Sequence, residues 1–219
     1  MSLLKDIGIV QSEGKISKTF ENLLPGKSFL DMGYTFPHEY VTKFWELYTN
    51  SEEGKKENAS VNGGIFELII YTLLYRENIL PFYTQAKVAF VPNIEYDTIL
   101  YSKSSPICLS LKTSLRERYK QADLEAVALK YVHRKAQSYL LTLCTKEAQQ
   151  TKKKISDGDI IGLDDIIDCN TDEIDKLINK LKSISFCESY SIEVIEGNLV
   201  KKIVSTGPVT SSPSTSPKP

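Results

Sequence analysis

The sequence predicts an α/β protein in which a mixed β-sheet is flanked by helices. An apolar segment of helical length precedes three shorter strand-like segments, and a second helical segment and a further strand follow them. Turn-forming residues separate the three short segments, so each has the length of a strand.

The first elements are helices. Pro37 can open a helix that continues to about Tyr48, because proline is favoured in the first helical turn. The polar segment Ser51–Ser60 is predicted to be a loop. Residues 62–64 contain two glycines and precede a strongly apolar helix over 65–79.

The sheet and its crossover helix come next. We predict strands at Gln85–Val91, Glu95–Tyr101 and Ile107–Thr113, each bounded by proline, asparagine or serine turn signals. A helix should run from about Tyr119 to Ala136, and the apolar segment Tyr139–Cys144 should be another strand.

The remaining segments are shorter. The basic segment Lys146–Lys154 is either a helix or a loop, and Leu163–Cys169 and Thr171–Ile184 are predicted to be helices. Residues 192–204 should form a hairpin whose turn is Gly197-Asn198.

Composition is that of an ordinary globular protein. The 219 residues are 41% hydrophobic and 25% charged, so one domain over 1–204 is expected, followed by a disordered Ser/Thr/Pro-rich tail over 205–219. No apolar run has the length of a membrane span, and the N-terminus lacks the layout of a signal peptide. We therefore expect an intracellular, cytoplasmic protein that has no membrane partner.

Charge is unevenly distributed although the net charge is −1. Twelve Lys/Arg and four Asp/Glu lie between Tyr101 and Lys154, whereas three Lys and eleven Asp/Glu lie between Ile155 and Leu199. The basic middle could face a polyanion such as nucleic acid. The alternative is two solvated faces that differ in sign.

Three charged residues are predicted to meet at one end of the sheet. Asp97 lies on the second strand, and Lys112 lies at the end of the third, on the face opposite its apolar residues. If the two strands are neighbours, these side chains can meet. Glu125 lies on the next helix, thirteen residues after Lys112, and could turn back toward them.

This grouping suits metal-dependent cleavage of a phosphodiester bond. Mg²⁺ prefers hard oxygen ligands, usually one or two carboxylates with waters and a phosphate. Asp97 and Glu125 would supply carboxylates and the Leu111 carbonyl a third oxygen, while Lys112 would orient the attacking water. Spacing alone leaves open that the three charged residues are structural.

One segment resembles a known family of nucleases. The chain reads Lys-Thr, three variable residues, then Glu-Arg-Tyr-Lys-Gln over Lys112–Gln121, and Glu125 follows. This resembles the PD-(D/E)xK superfamily, specifically type II restriction endonucleases of the EcoRII, SsoII and PspGI kind. Ser110 stands where most of the superfamily has an acid, and this branch carries that acid on the next helix. The resemblance implies a restriction-endonuclease-like core.

The resemblance also implies roles for individual residues. Asp97 and Glu125 would bind Mg²⁺, Lys112 would be the catalytic lysine, and Glu67 would lie near the metal. The branch has Pro-Asp at the strand position, so Glu95 is an alternative ligand to Asp97 here. The alternative for Glu67 is an acid in the first turn of its helix, favoured by the helix dipole.

The same resemblance implies contacts with DNA. Arg116, Glu117 and Arg118 match the base-reading cluster, and Lys120 and Gln121 continue the matching block. The chemistry fits a C·G pair, because glutamate accepts from cytosine N4 and arginine donates to guanine O6 and N7. The alternative is a solvated run of charges.

The resulting expectation is a Mg²⁺-dependent type II restriction endonuclease. It would cut double-stranded DNA at a short palindrome with outer C·G pairs, and a homodimer would match the symmetry of that site. The alternatives are a structure-specific repair or recombination nuclease and a DNA-binding module that does not cleave.

Overall fold

A computed structural model describes residues 2–91, 93–102, 105–189 and 194–202. The predicted tail over 205–219 lies outside these residues. The helices longer than one 3₁₀ turn are α1 (Leu3–Asp6), α2 (Lys15–Glu21), α3 (Pro37–Thr49), α4 (Ala59–Arg76), α5 (Arg118–Val132), α6 (Thr145–Ser156) and α7 (Asp172–Lys182). The strands are β1 (Phe82–Val88), β2 (Tyr96–Ser102), β3 (Ser105–Lys112), β4 (Gln137–Thr142), β5 (Asp165–Asp168) and β6 (Val194–Val200).

The strands form one sheet in the order β5-β4-β3-β2-β1-β6. β3 pairs with β4 and β4 with β5 in parallel, whereas the other neighbours are antiparallel. Helix α5 connects the parallel strands β3 and β4, as a parallel pair requires. The predicted α/β class, a mixed sheet flanked by helices, is confirmed.

Helices cover both faces of the sheet. Ile107, Leu109 and Leu111 of β3 point into a core shared with α3, α4 and α7. Cys108 points the other way, into a cluster that includes Leu129 of α5. Ser110, on the same face as Cys108, is 4% exposed, so this face is also covered over the middle of β3.

Helix α4 begins earlier than predicted. The Asn58 side chain accepts hydrogen bonds from the N–H groups of Ser60 and Val61, which caps the helix inside the expected loop. The glycines at 63 and 64 therefore lie within the helix. A Cβ at Gly64 would come within 2.6 Å of Ile16 Cδ1, so glycine allows the close approach of α2.

Three further predictions need correction. Leu163–Cys169 is not a helix, because Asp165–Asp168 forms β5 beside β4. The predicted hairpin at 192–204 is also wrong. Gly197-Asn198 does not form a turn but lies inside β6, which pairs with β1. Residues 192–193 and 203–204 lie outside the part of the chain that the structure describes. The first strand is Phe82–Val88 instead of Gln85–Val91, because the chain turns at Phe90, whose φ is 63°.

None of the helices in the described ranges combines the length and apolar character that spanning a membrane requires.

Candidate active site

Asp97 and Lys112 meet where β2 and β3 run side by side. The Lys112 ammonium donates to Asp97 Oδ2 over 2.8 Å, and the Leu111 N–H donates to the same oxygen over 2.7 Å. The side chains of the ion pair are 14% and 20% exposed, so both are largely withdrawn from water. The sequence predicted this meeting from strand order and side-chain alternation.

Tyr71 of α4 holds the backbone of the same strand. Its hydroxyl donates to the carbonyl oxygen of Asp97 over 2.8 Å. Burial raises the pKa of Tyr71 well above its usual value, and the carboxylates of Glu67 and Asp97 raise it further. This role of Tyr71 was not predicted, because nothing in the sequence of an apolar helix indicates that one of its tyrosines donates a hydrogen bond to a strand.

Glu67 lies one helical turn before Tyr71 and belongs to the same site. Burial is the largest cause that raises its pKa, to about 7, the charge of Asp97 adds to it, and Lys112 opposes it. Glu67 is the ninth residue of α4, so it is not the first-turn acid that the alternative interpretation described. Glu67 therefore lies within electrostatic range of Asp97 and Lys112.

This raised pKa makes the stability of the protein depend on pH. The folded state binds the Glu67 proton more tightly than the unfolded chain, so stability is lost as pH rises from 4.5 to about 7. We expect Glu67→Gln, which stays neutral, to remove that loss. Relative to the wild type, the variant should gain about 1–3 kcal/mol of unfolding free energy between pH 4 and pH 8. Urea unfolding in metal-free buffer at both pH values checks this, and a difference independent of pH would contradict it.

Glu125 lies in the middle of α5 and interacts electrostatically with Asp97 and Lys112. Burial raises its pKa, a hydrogen bond from Gln121 lowers it, and the charges of Lys112 and Asp97 also act on it. Gln121 Nε2 donates to Glu125 Oε1 over 2.7 Å. The acid predicted on the helix thus comes within electrostatic range of the Asp97–Lys112 pair.

The carboxylate oxygens of Asp97 and Glu125 are ligands of the kind that magnesium prefers. Asp97 Oδ1 and Glu125 Oε2 have no hydrogen-bond donor among the described residues, so each carboxylate keeps a free hard oxygen. Within the described ranges, no three His, Cys, Asp or Glu residues converge to hold an ion by themselves. An ion there would have at most two of these carboxylates as ligands, and waters and a phosphate would complete its coordination. A role for the Leu111 carbonyl stays a prediction.

Glu95, the alternative strand ligand, has different surroundings. It is exposed and, together with Glu67 and Tyr71, lines an open cleft with a volume of about 380 Å³. Neither Asp97 nor Lys112 lines that cleft. The contact with the lysine therefore favours Asp97.

The expected base-reading cluster is exposed beside the site. Arg116 precedes α5 with a left-handed φ of 36°, and Arg118 is the first residue of the helix. Neither arginine forms an ion pair with any residue that the structure describes. Glu117 is paired with Lys120, so a cytosine would compete with that lysine.

No protein-family model matches the chain, and no curated protein matches it. Among solved structures, the chain is similar to the restriction endonuclease PspGI, solved as a complex with substrate DNA. The two share 24% sequence identity with a TM-score of 0.43, over 67% of this chain. The match spans 63% of the PspGI chain, less than two thirds of its length.

Proposed function

We propose that this protein is a Mg²⁺-dependent type II restriction endonuclease. It hydrolyses phosphodiester bonds in double-stranded DNA at a short palindrome with outer C·G pairs, and acts as a homodimer with one site per strand. The observation that carries the proposal is the partly buried Asp97–Lys112 pair, with Glu125 and Glu67 in electrostatic range of it.

The protein's own residues divide the chemical work. Asp97 and Glu125 would hold the metal ion through their free oxygens. When bound, magnesium polarises the scissile phosphate and lowers the pKa of the attacking water. Lys112 has three N–H donors, and among the described residues it donates only to Asp97, so two donors remain for a phosphate oxygen or the attacking water. Its charge offsets the negative charge that develops in the transition state.

Recognition would depend on the exposed cluster next to the site. Arg116 and Arg118 have the planar donors that bind guanine O6 and N7, and Glu117 can accept from cytosine N4. Lys120 and Gln121 lie on the next exposed turn of α5 and would contact the backbone of the same DNA segment.

Incubation of the purified protein with plasmid DNA tests the proposal. Discrete fragments in Mg²⁺, absent in EDTA, and fragment ends that share one palindrome are the expected result. Cleavage of branched DNA alone would point to a structure-specific nuclease, and binding without cleavage would point to a DNA-binding module. Either result contradicts the proposal. Sedimentation of the DNA complex gives the number of protein chains.

Arg118→Ala should weaken discrimination between the site and a site with one C·G pair changed. The expected loss is about 1–3 kcal/mol, because one bidentate contact to guanine is removed. Competition binding with the two duplexes measures the loss. Arg134→Ala is the matched control, since Arg134 is also exposed but lies beyond the other end of α5. Equal discrimination by the two variants would assign Arg118 to a phosphate or structural role.

A further inference from the structure

The loop between β3 and α5, residues 113–117, is anchored at its centre. The Leu115 side chain is 1% exposed and packs in a core cluster with residues of α5, β4 and α6. The next residue, Arg116, is exposed. The loop therefore changes from a buried anchor to an exposed arginine within one residue.

Both backbone groups of Leu115 are hydrogen-bonded. Its carbonyl accepts from the N–H of Arg118 over 2.5 Å. Its N–H donates to Oε2 of Glu147 over 2.5 Å. Glu147 lies in the first turn of α6, a helix far from the loop in the sequence. The carboxylate thus joins the loop to a second helix that packs in the same core cluster.

We propose that Glu147 is a positioning residue for sequence readout, a role that rests on the proposed function. Bidentate contact with a base requires the guanidinium to be placed to within about 0.5 Å, so its backbone must be held in place. The Glu147 carboxylate holds Leu115, which directly precedes Arg116. The carbonyl of Leu115 in turn accepts a hydrogen bond from the Arg118 N–H. In this role Glu147 would act through the loop and not by direct contact with the DNA or the reacting atoms.

Glu147 has a second possible contribution, which the test must separate from positioning. An acid in the first turn of α6 also stabilises that helix through its charge. Glu147→Gln removes the charge but keeps an oxygen that can accept from Leu115. Glu147→Ala removes both. Asp172→Ala is the matched control, because Asp172 is an exposed first-turn acid on α7.

The first measurement needs no DNA. Hydrogen–deuterium exchange over residues 113–118 should be faster in Glu147→Ala than in the wild type and unchanged in Asp172→Ala. Glu147→Gln should keep most of the protection. Unchanged exchange in Glu147→Ala would overturn the proposal, whatever the protein does to DNA.

The second measurement compares binding to a duplex carrying the palindrome found in the digest with binding to a duplex in which one outer C·G pair is T·A. Glu147→Ala should lose about tenfold of this preference, and Glu147→Gln no more than about twofold. Affinity for the altered duplex should stay constant, since phosphate contacts carry non-specific binding. Equal losses in the two variants, or none, would overturn the proposal. A wild type that shows no preference would instead contradict the proposed function.

Discussion

Glu125→Gln is expected to reduce DNA cleavage by about three orders of magnitude or more. Glutamine has the shape of glutamate but carries no negative charge, so the magnesium site would lose one of its two carboxylates. The fold should be preserved. The bond from the Tyr96 hydroxyl goes to the backbone carbonyl of residue 125, over 3.1 Å, and does not depend on the side chain. Burial raises the pKa of Glu125, so a neutral amide removes a cost of ionisation there.

Single-turnover cleavage of plasmid DNA in Mg²⁺ measures this effect. Thermal unfolding and DNA binding in Ca²⁺ show whether the variant remains folded and able to bind. Glu46→Gln makes the same chemical change at an exposed glutamate of α3 and should cleave like the wild type. If Glu125→Gln cleaves at a near wild-type rate, the second acid must lie elsewhere, with Glu67 or Glu117 as the candidates.

The centre of the candidate site could be predicted from the sequence because its parts are local. Asp97 and Lys112 lie on consecutive strands that pair antiparallel, so strand pairing and side-chain alternation bring them together. Glu125 lies on the helix that leaves the second of these strands, and its approach follows from chain order. The α/β class followed from the same segments.

Other features could not be predicted, because they depend on packing between distant elements. Ile166 and Ile167 are a short apolar pair between acids, and periodicity cannot distinguish a buried four-residue strand from a helical turn. Gly197 looks like a turn residue, but in β6 it lets the neighbouring strand approach, since a Cβ there would lie 3.2 Å from Ala86 Cα. The hydrogen bonds from Tyr71 to Asp97 and from Leu115 to Glu147 join elements that are distant in the sequence, and no sequence motif links these elements.

The second large expected effect is on DNA cleavage, and it distinguishes Asp97 from Glu95 as the metal ligand. Asp97→Asn should reduce cleavage by about three orders of magnitude, because it removes a carboxylate from the metal site and the partner of Lys112. It should also lower the unfolding free energy by about 1–3 kcal/mol, since a largely buried ammonium loses its counter-ion. Asparagine can still accept from the Leu111 N–H, so the strand pairing should persist.

Glu95→Gln is the matched variant. Glu95 is exposed beside the cleft, and Lys112 forms its ion pair with Asp97 and not with Glu95, so this substitution should leave the cleavage rate within about threefold of the wild type. Cleavage at saturating Mg²⁺, measured well below the unfolding temperature of each variant, separates loss of chemistry from loss of stability. If instead Glu95→Gln were inactive and Asp97→Asn active, the Asp97–Lys112 ion pair would be structural and not catalytic. The metal would then lie nearer the cleft that Glu67 and Glu95 line.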